Sequence, residues 1–277
     1  LEHSSKFETK RRKVLMSSLE KSLDILEFFS HDKKELSFSE IVKKTGFPKS
    51  TTHRILNILV SRKYLSFDSN SKRYSIGIRL FELGSLFISS NSNNIISIAI
   101  PVIEKLVLET GYTVLLASLL EGSLVYLFSQ HGNSPLLVQS YTGQRRKPNY
   151  GILGKLLLAY LPEEEVDSIL KCYPLEKTAD NSITDPLIYK EELKHIRIKG
   201  YAYAKDETIN GVSGFAAPIY DYKSKVIAGI ALLFPTSLVL GNDLDKLKTK
   251  LLRAAKSISE ALGYYNYSIQ VEEDISI

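Results

Sequence analysis

The stretch from Ser37 to Ser61 constrains this chain more than any other. Ser37, with Glu40 three residues on, is a capping-box pattern and starts a short helix carrying Ile41 and Val42. Thr45-Gly46-Phe47 ends it, because Gly46 can take the left-handed conformation that a sharp turn between helices requires. Pro48 then stands at the first position of a new helix, where its missing N–H costs nothing. At about 100° per residue, Thr52, Ile55, Leu56 and Leu59 gather on one side of that helix. Ser50, His53, Arg54 and Asn57 gather on the other, with Lys49 at its N-terminal end. Upstream, Leu19, Leu23, Leu26 and Phe29 recur at helical spacing and predict a helix from Ser18 to Ser30 with one core-facing stripe. Helix, glycine turn and second helix together are the helix-turn-helix motif.

A helix with a packed inner face and an outer face of Ser, His, Arg and Asn has the composition of a major-groove reader. Arginine can bond bidentately to guanine, asparagine to adenine, and hydroxyls to phosphate or base edges. The next segment extends the pattern. Tyr64–Phe67 and Arg73–Ile76 alternate in polarity, and Asp68-Ser69-Asn70-Ser71 between them is turn chemistry. This predicts a two-stranded wing with Lys72 and Arg73 near its tip, lying against phosphates and adding affinity without sequence information.

Charge follows the same division. Residues 1–90 hold 17 Lys and Arg against 10 Asp and Glu, whereas the remainder holds 19 against 21, so the net +5 of the chain comes entirely from its first third. Such a basic excess calls for an anionic partner. Lys10-Arg11-Arg12-Lys13 contributes much of it, as a partner-binding arm or as a solvated tail. No apolar run approaches the ~18 residues of a membrane span, and no signal-peptide pattern opens the chain, which starts at Leu1 and whose first residues stay outside the fold prediction. One cysteine, Cys172, excludes an internal disulfide framework and cysteine-based metal cages, and it is expected to be a buried spare thiol. His3, His31, His53, His131 and His195 show no paired ligand spacing. These features predict a cytoplasmic protein with no metal or cofactor.

Several stretches resemble one family. Ser18–Leu26, Phe38-Ser39-Glu40-Ile41, Thr45–Arg54 (with Lys49, Ser50 and Thr51 in its middle), Arg73–Gly77 and Leu83-Gly84 are similar to the IclR family of transcription regulators. So are Glu109-Thr110-Gly111, Leu153–Pro162, Asn181–Thr184, Lys199–Ala202, Gly211-Val212-Ser213 and Ala216-Ala217-Pro218. The resemblance implies an α+β chain of two domains: an N-terminal winged helix-turn-helix (14–77), a linker helix (78–93) that helps form a dimer, and a C-terminal GAF-like sensor (94–265). Residues 1–13 and 266–277 are tails.

The remaining pattern agrees with that division. Ile78–Ser89 is dense in apolar residues, Asn91–Asn94 is a polar break, and Ile95–Glu109 reads as a helix interrupted by Pro101 and ending at Gly111. Tyr112–Leu120 and Leu124–Phe128, separated by Glu121-Gly122, suit a hairpin, and Leu136–Tyr141 is expected to add a third strand. Gly151–Tyr160, Pro162–Lys171 and Pro186–Lys199 read as helices. Tyr201–Lys205, Val212–Tyr220 and Val226–Phe234 read as strands, and Leu244–Leu262 as a closing helix. Strands and helices mix without βαβ alternation, so the sheet should be mostly antiparallel.

The resemblance further implies a small effector bound between the sheet and the loop Gly151-Ile152-Leu153-Gly154, held by its backbone N–H groups and by polar side chains opposite. The loop is kept; the polar anchors are not. A position that is acidic in the family falls on Ala204, one that is often Cys or Ser on Gly214, and two that are often Ser on Ala231 and Leu233. A carboxylate stripped of water needs charge-assisted donors. The expectation is therefore a roomier, more apolar pocket for an aromatic or otherwise hydrophobic effector, with Tyr141, Tyr150 and Tyr203 as aromatic lining. The alternative is a sensor domain that binds nothing. An enzyme is the rival from another class, on the carboxylate pair Asp206-Glu207, but adjacent strand residues point to opposite faces and no base–nucleophile pattern accompanies them. The expected assembly is a homodimer, or a dimer of dimers, on a roughly palindromic double-stranded operator.

Overall fold

The structure, a computed structural model, describes residues 16–30, 32–90, 95–134, 138, 140–239 and 241–267, the last four residues of the helix ending at Ser90 by backbone only. The basic tract at 10–13, His31, the break at 91–94 and most of both tails lie outside the described residues. The chain divides into two units, 1–92 and 93–277.

In the first unit, α1 (Ser18–Glu27), β1 (Glu35–Ser37), α2 (Phe38–Thr45), α3 (Lys49–Ser61), β2 (Leu65–Asp68), β3 (Arg73–Ile76) and α4 (Ile78–Ser90) follow in order. The Ser37–Glu40 capping box is formed in both directions, with Ser37 N–H donating to the Glu40 carboxylate and Glu40 N–H to the Ser37 hydroxyl. Gly46 closes α2 at φ 67°, the left-handed conformation expected of it. Pro48 is the N-cap of α3 in an extended conformation, one residue outside the expected position. Thr52, Ile55, Leu56 and Leu59 are buried as the spacing predicted, against Ile25, Leu36, Ile41, Leu65 and Tyr74.

Two details differ. Helix α1 is turned by about one residue from the predicted stripe: Ile25 is its buried position, whereas Leu19 and Leu23 are 70% and 49% exposed. The helix ends at Glu27, so only its last turn and the following Phe28 and Phe29 reach the core. Unforeseen β1 pairs antiparallel with β3, making a sheet of order β1-β3-β2.

The second unit contains α5 (Ile95–Thr110), β4 (Thr113–Leu120), β5 (Ser123–Gln130), β6 (Arg145–Arg146), α6 (Gly151–Leu158), α7 (Glu163–Cys172), α8 (Pro186–Lys199), β7 (Ala202–Lys205), β8 (Val212–Tyr220), β9 (Val226–Pro235) and α9 (Asn242–Ala261). Its sheet, ordered β6-β5-β4-β9-β8-β7, is antiparallel at every described pairing. Both faces are covered. Ile230, Leu232 and Phe234 pack with α5 and α9 on one side, while Ala231 and Leu233 pack with α6 and α8 on the other. Two-sided burial explains why β4 and β9 read as continuous apolar runs rather than alternating ones.

Three expectations are corrected. Helix α5 runs unbroken through Pro101, because the proline and Ser97, four residues before it, are both exposed and water can serve the freed carbonyl. Leu136–Tyr141 is not a strand at its described residues: Ser140 is held beside β5 by the Ser129 hydroxyl and the His131 ring, and the ladder partner of β5 is Arg145–Arg146. Cys172 is exposed, because it closes an amphipathic helix whose buried positions are Val166 and Leu170.

Helix α6 is buried on all sides from Ile152 to Leu158, and its approach is set by Gly154, where a Cβ would stand 2.7 Å from the Pro148 oxygen. Gly154→Ala is therefore expected to destabilise the second unit by about 1–3 kcal/mol through overpacking. Calorimetry should show that unit's transition lowered and the winged unit's unmoved; an unchanged transition would mean the 148–149 backbone yields freely.

Candidate nucleic-acid interface and ligand cleft

The outer face of α3 rests on a fully packed inner one, so its side chains project from a rigid base. Ser50, His53, Arg54 and Asn57 are all exposed, as is Lys49 at the helix start, and Thr51 is half-buried. Asn57 Nδ2 lies 3.2 Å from His53 Nδ1, and the His53 ring meets Phe38 edge-on at 6.1 Å, which orients the Asn57 amide from within the helix. No side chain caps α3, leaving first-turn amides and the positive end of the helix dipole open to an anion. At the wing, Asp68 accepts from the amides of Asn70 and Ser71 and from the Ser71 hydroxyl, which shapes the turn and holds its carboxyl below the usual value. Lys72 sits at that turn with φ 55°, exposed. Arg73 differs from its neighbour: its guanidinium reaches the Glu35 carbonyl at 3.3 Å and the Glu40 carboxylate at 3.4 Å, tying the wing to α2.

In the second unit, Gly151–Gly154 is the first turn of α6 rather than a loop, with Gly151 at φ 63°. Between that turn and the sheet lies a small cleft of about 60 Å³. Of the predicted residues, Tyr150, Gly151, Ile152, Leu153, Ala204, Gly214 and Leu233 line it; Tyr141 and Ala231 do not. Tyr203 lies on the opposite face, 4.8 Å from Phe215, because β7 alternates and Ala204 takes the cleft side. A Cβ at Gly214 would stand 2.6 Å from Leu233 Cδ2. The leucine thus fills the room left by the glycine, and the wall gains apolar surface rather than volume.

Leu115, Tyr126 and Thr208 also line the cleft and escaped the sequence reading. Burial pushes the Tyr126 hydroxyl up to about 12, so it remains a neutral donor. The Arg146 guanidinium lies 4.9 Å from the Tyr150 ring centroid. Polar groups of β8 and β9 at this end are already engaged: Ser213 pairs with Thr236 at 2.9 Å, and Thr236 donates to Asp206 at the same distance.

The largest surprise is Lys155, whose side chain is 2% exposed. Its ammonium donates to Glu207 Oε2 at 2.6 Å and lies 3.9 Å from Glu192 Oε1. Burial raises the Glu207 carboxyl above its ordinary value; the Lys155 charge opposes that rise, and the Glu192 charge adds to it. A lone lysine within the apolar run Ile152–Tyr160 was the available signal, but its partner 52 residues on was not.

Comparison with known proteins follows these two sites. Residues 18–69 match the model of the IclR helix-turn-helix domain, and residues 88–260 match that of the bacterial transcriptional regulator IclR C-terminal domain. The chain is 31% identical over 245 residues to the HTH-type transcriptional regulator KipR of Bacillus subtilis, covering 88% of this chain and 96% of that one. An IclR transcriptional regulator of Alicyclobacillus acidocaldarius has a similar structure, with a TM-score of 0.76 and 27% identity over 89% of this chain and 98% of that one. An IclR homologue of Microbacterium hydrocarbonoxydans, solved with 4-hydroxybenzoate, shares the fold at a TM-score of 0.80 and 23% identity, covering 89% and 99%.

Removing the buried ammonium strands a carboxylate. Lys155→Met is expected to lose about 3–5 kcal/mol at neutral pH. Because the folded Glu207 carboxyl titrates above its unfolded value, the folded state holds the proton more tightly, and part of the loss should return as pH falls through that raised value. Urea denaturation at pH 5 and pH 7.5 checks this; an equal loss at both would mean that Glu207 is not the group left unpaired.

Proposed function

Because this chain belongs to the IclR family of transcription regulators, we propose that α3 reads base edges in the major groove while the second unit senses an apolar or aromatic effector. As in that family, the chain is a DNA-binding regulator with a C-terminal effector-binding domain, not an enzyme. The observation that carries the DNA reading is the exposed row Ser50, His53, Arg54 and Asn57 on a helix whose other side is closed packing. Arg54 and Asn57 carry base selection; Lys49, Ser50, Thr51 and Lys72 serve phosphates, and Arg73 contributes its charge from its bridge to Glu40.

Dimerisation suits such a reader. Ile78, Phe81 and Leu86 of α4 are 56%, 72% and 61% exposed, an apolar surface that a second copy would cover. Two reading helices entering successive major grooves, about 34–36 Å apart, would match a palindromic operator. Among the described residues no helix is long and apolar enough to cross a membrane. A DNA partner accords with a cytoplasmic location.

For the effector, support comes from the cleft wall. Gly214, Leu233 and Ala204 replace the polar anchors, leaving apolar surface beside the first turn of α6. The Microbacterium homologue was solved with an aromatic acid. Effector binding acts on DNA affinity through its differential affinity for subunit arrangements.

Two measurements test these assignments. Arg54→Ala should relax sequence preference by about 1–3 kcal/mol, while Lys72→Ala should weaken binding evenly across sequences and lower the salt slope by about one. Equal losses on operator and random duplex for Arg54→Ala, measured by fluorescence anisotropy, would remove it as a base reader. In thermal-shift titrations, small aromatic compounds should stabilise the second unit and glyoxylate or pyruvate should not. Strong stabilisation by the short oxo-acids would overturn the apolar cleft.

A further inference from the structure

Adjoining the cleft at Gly151 lies a second cavity of about 90 Å³. Tyr150, Gly151, Glu207 and Thr208 line both. Gly151 and Thr208 approach closely at this shared edge: a Cβ built at Gly151 would stand 3.6 Å from Thr208 Oγ1.

The chamber is polar, and its groups are unevenly occupied. The Ser182 hydroxyl is spent, donating to the Glu207 carbonyl at 2.7 Å and accepting from the amides of Thr178 and Ala179. Lys147, at the rim, is paired with Glu176 at 2.7 Å. Lys155 engages Glu207 through Oε2. One donor is left over. Tyr189 is 4% exposed and lines the chamber, and its hydroxyl oxygen has no hydrogen-bond partner among the described residues. Buried hydroxyls are nearly always satisfied, so this one is open to a water or to a ligand group. Tyr189 and Glu207 both line the chamber, so one small group there can reach toward both.

We propose that this chamber is a second compartment of the effector cleft and receives the uncharged hydroxyl end of an elongated apolar ligand. The Tyr189 hydroxyl donates to that oxygen, and the Glu207 carboxylate accepts its proton in a hydrogen bond. This assignment rests on the cleft being the effector site. Charge selects the hydroxyl over its rivals. Lys155 faces two carboxylates, Glu207 and Glu192, so a carboxylate end would add a third negative charge with no free cation to meet it. An ammonium end has no lone pair to accept from the Tyr189 hydroxyl, whose proton would stay unmet. A methyl end would leave the Tyr189 hydroxyl unmet.

Three probes with one ring and one chain length separate these cases: 3-phenylpropan-1-ol, propylbenzene and 3-phenylpropanoate, titrated calorimetrically into the full chain. The alcohol should bind about tenfold more tightly than the hydrocarbon, the net effect expected of a well-placed hydrogen bond, and the acid most weakly. In Tyr189→Phe, which removes only the hydroxyl, the alcohol should fall to the affinity of the hydrocarbon while the hydrocarbon's own affinity stays unchanged. That unchanged value also reports an intact cleft. An alcohol no tighter than the hydrocarbon, an advantage that survives Tyr189→Phe, or an acid that binds most tightly would each overturn the compartment while leaving the cleft standing. If none of the three binds the wild-type chain, the aromatic cleft itself fails, and the compartment with it.

Discussion

A lysine ammonium taken out of water must find a counter-charge, and in this protein that requirement joins α6 to the loop after β7. Lys155 projects from a helix otherwise surrounded by apolar neighbours, and the 2.6 Å bond to Glu207 holds the 206–208 segment against the start of that helix. Both cavities open around this joint. The pair is costly in desolvation, and apolar residues of similar volume would often serve stability as well. Its presence is better understood as fixing position: it holds Glu207, with Thr208 beside it, near Gly151.

The first unit works on a different principle. Its reading helix gains precision from the closed packing beneath it, with Thr52, Ile55, Leu56 and Leu59 all buried, while on its exposed outer face His53 meets Asn57 and Phe38. The first third of the chain carries its excess of positive charge, which is the long-range term in attraction to an anionic polymer. The Arg73–Glu40 bridge ties the wing to α2, the helix that precedes the reading helix across the Gly46 turn.

Local chemistry in the chain was enough to read much of this. The Ser37–Glu40 box, the Gly46 turn and the Glu121-Gly122 hairpin, whose two central residues both take positive φ, are short-range patterns that neighbours a few residues away settle. Where the reading failed, the deciding partner was distant. Strand β1 is three residues long and exists because β3 runs beside it. Helix α1 faces its core through Ile25, clustered with Leu36, Ile41 and Leu56, rather than through Leu23. The segment near Ser140 is held by side chains of β5, leaving the ladder to Arg145 and Arg146.

The cleft divides in the same way. Apolar residues at Ala204, Gly214 and Leu233, where the resembled family has polar anchors, were implied by that resemblance, whereas the outward row on α3 was legible from helical period, which assigns faces without knowledge of the rest of the chain. That Leu233 fills the space over Gly214, that Tyr203 turns away, and that Lys155, Glu207 and Tyr189 meet around one chamber were decided only by tertiary structure. Periodicity and capping act over a few residues, whereas burial and counter-charge depend on which distant strands the fold brings together.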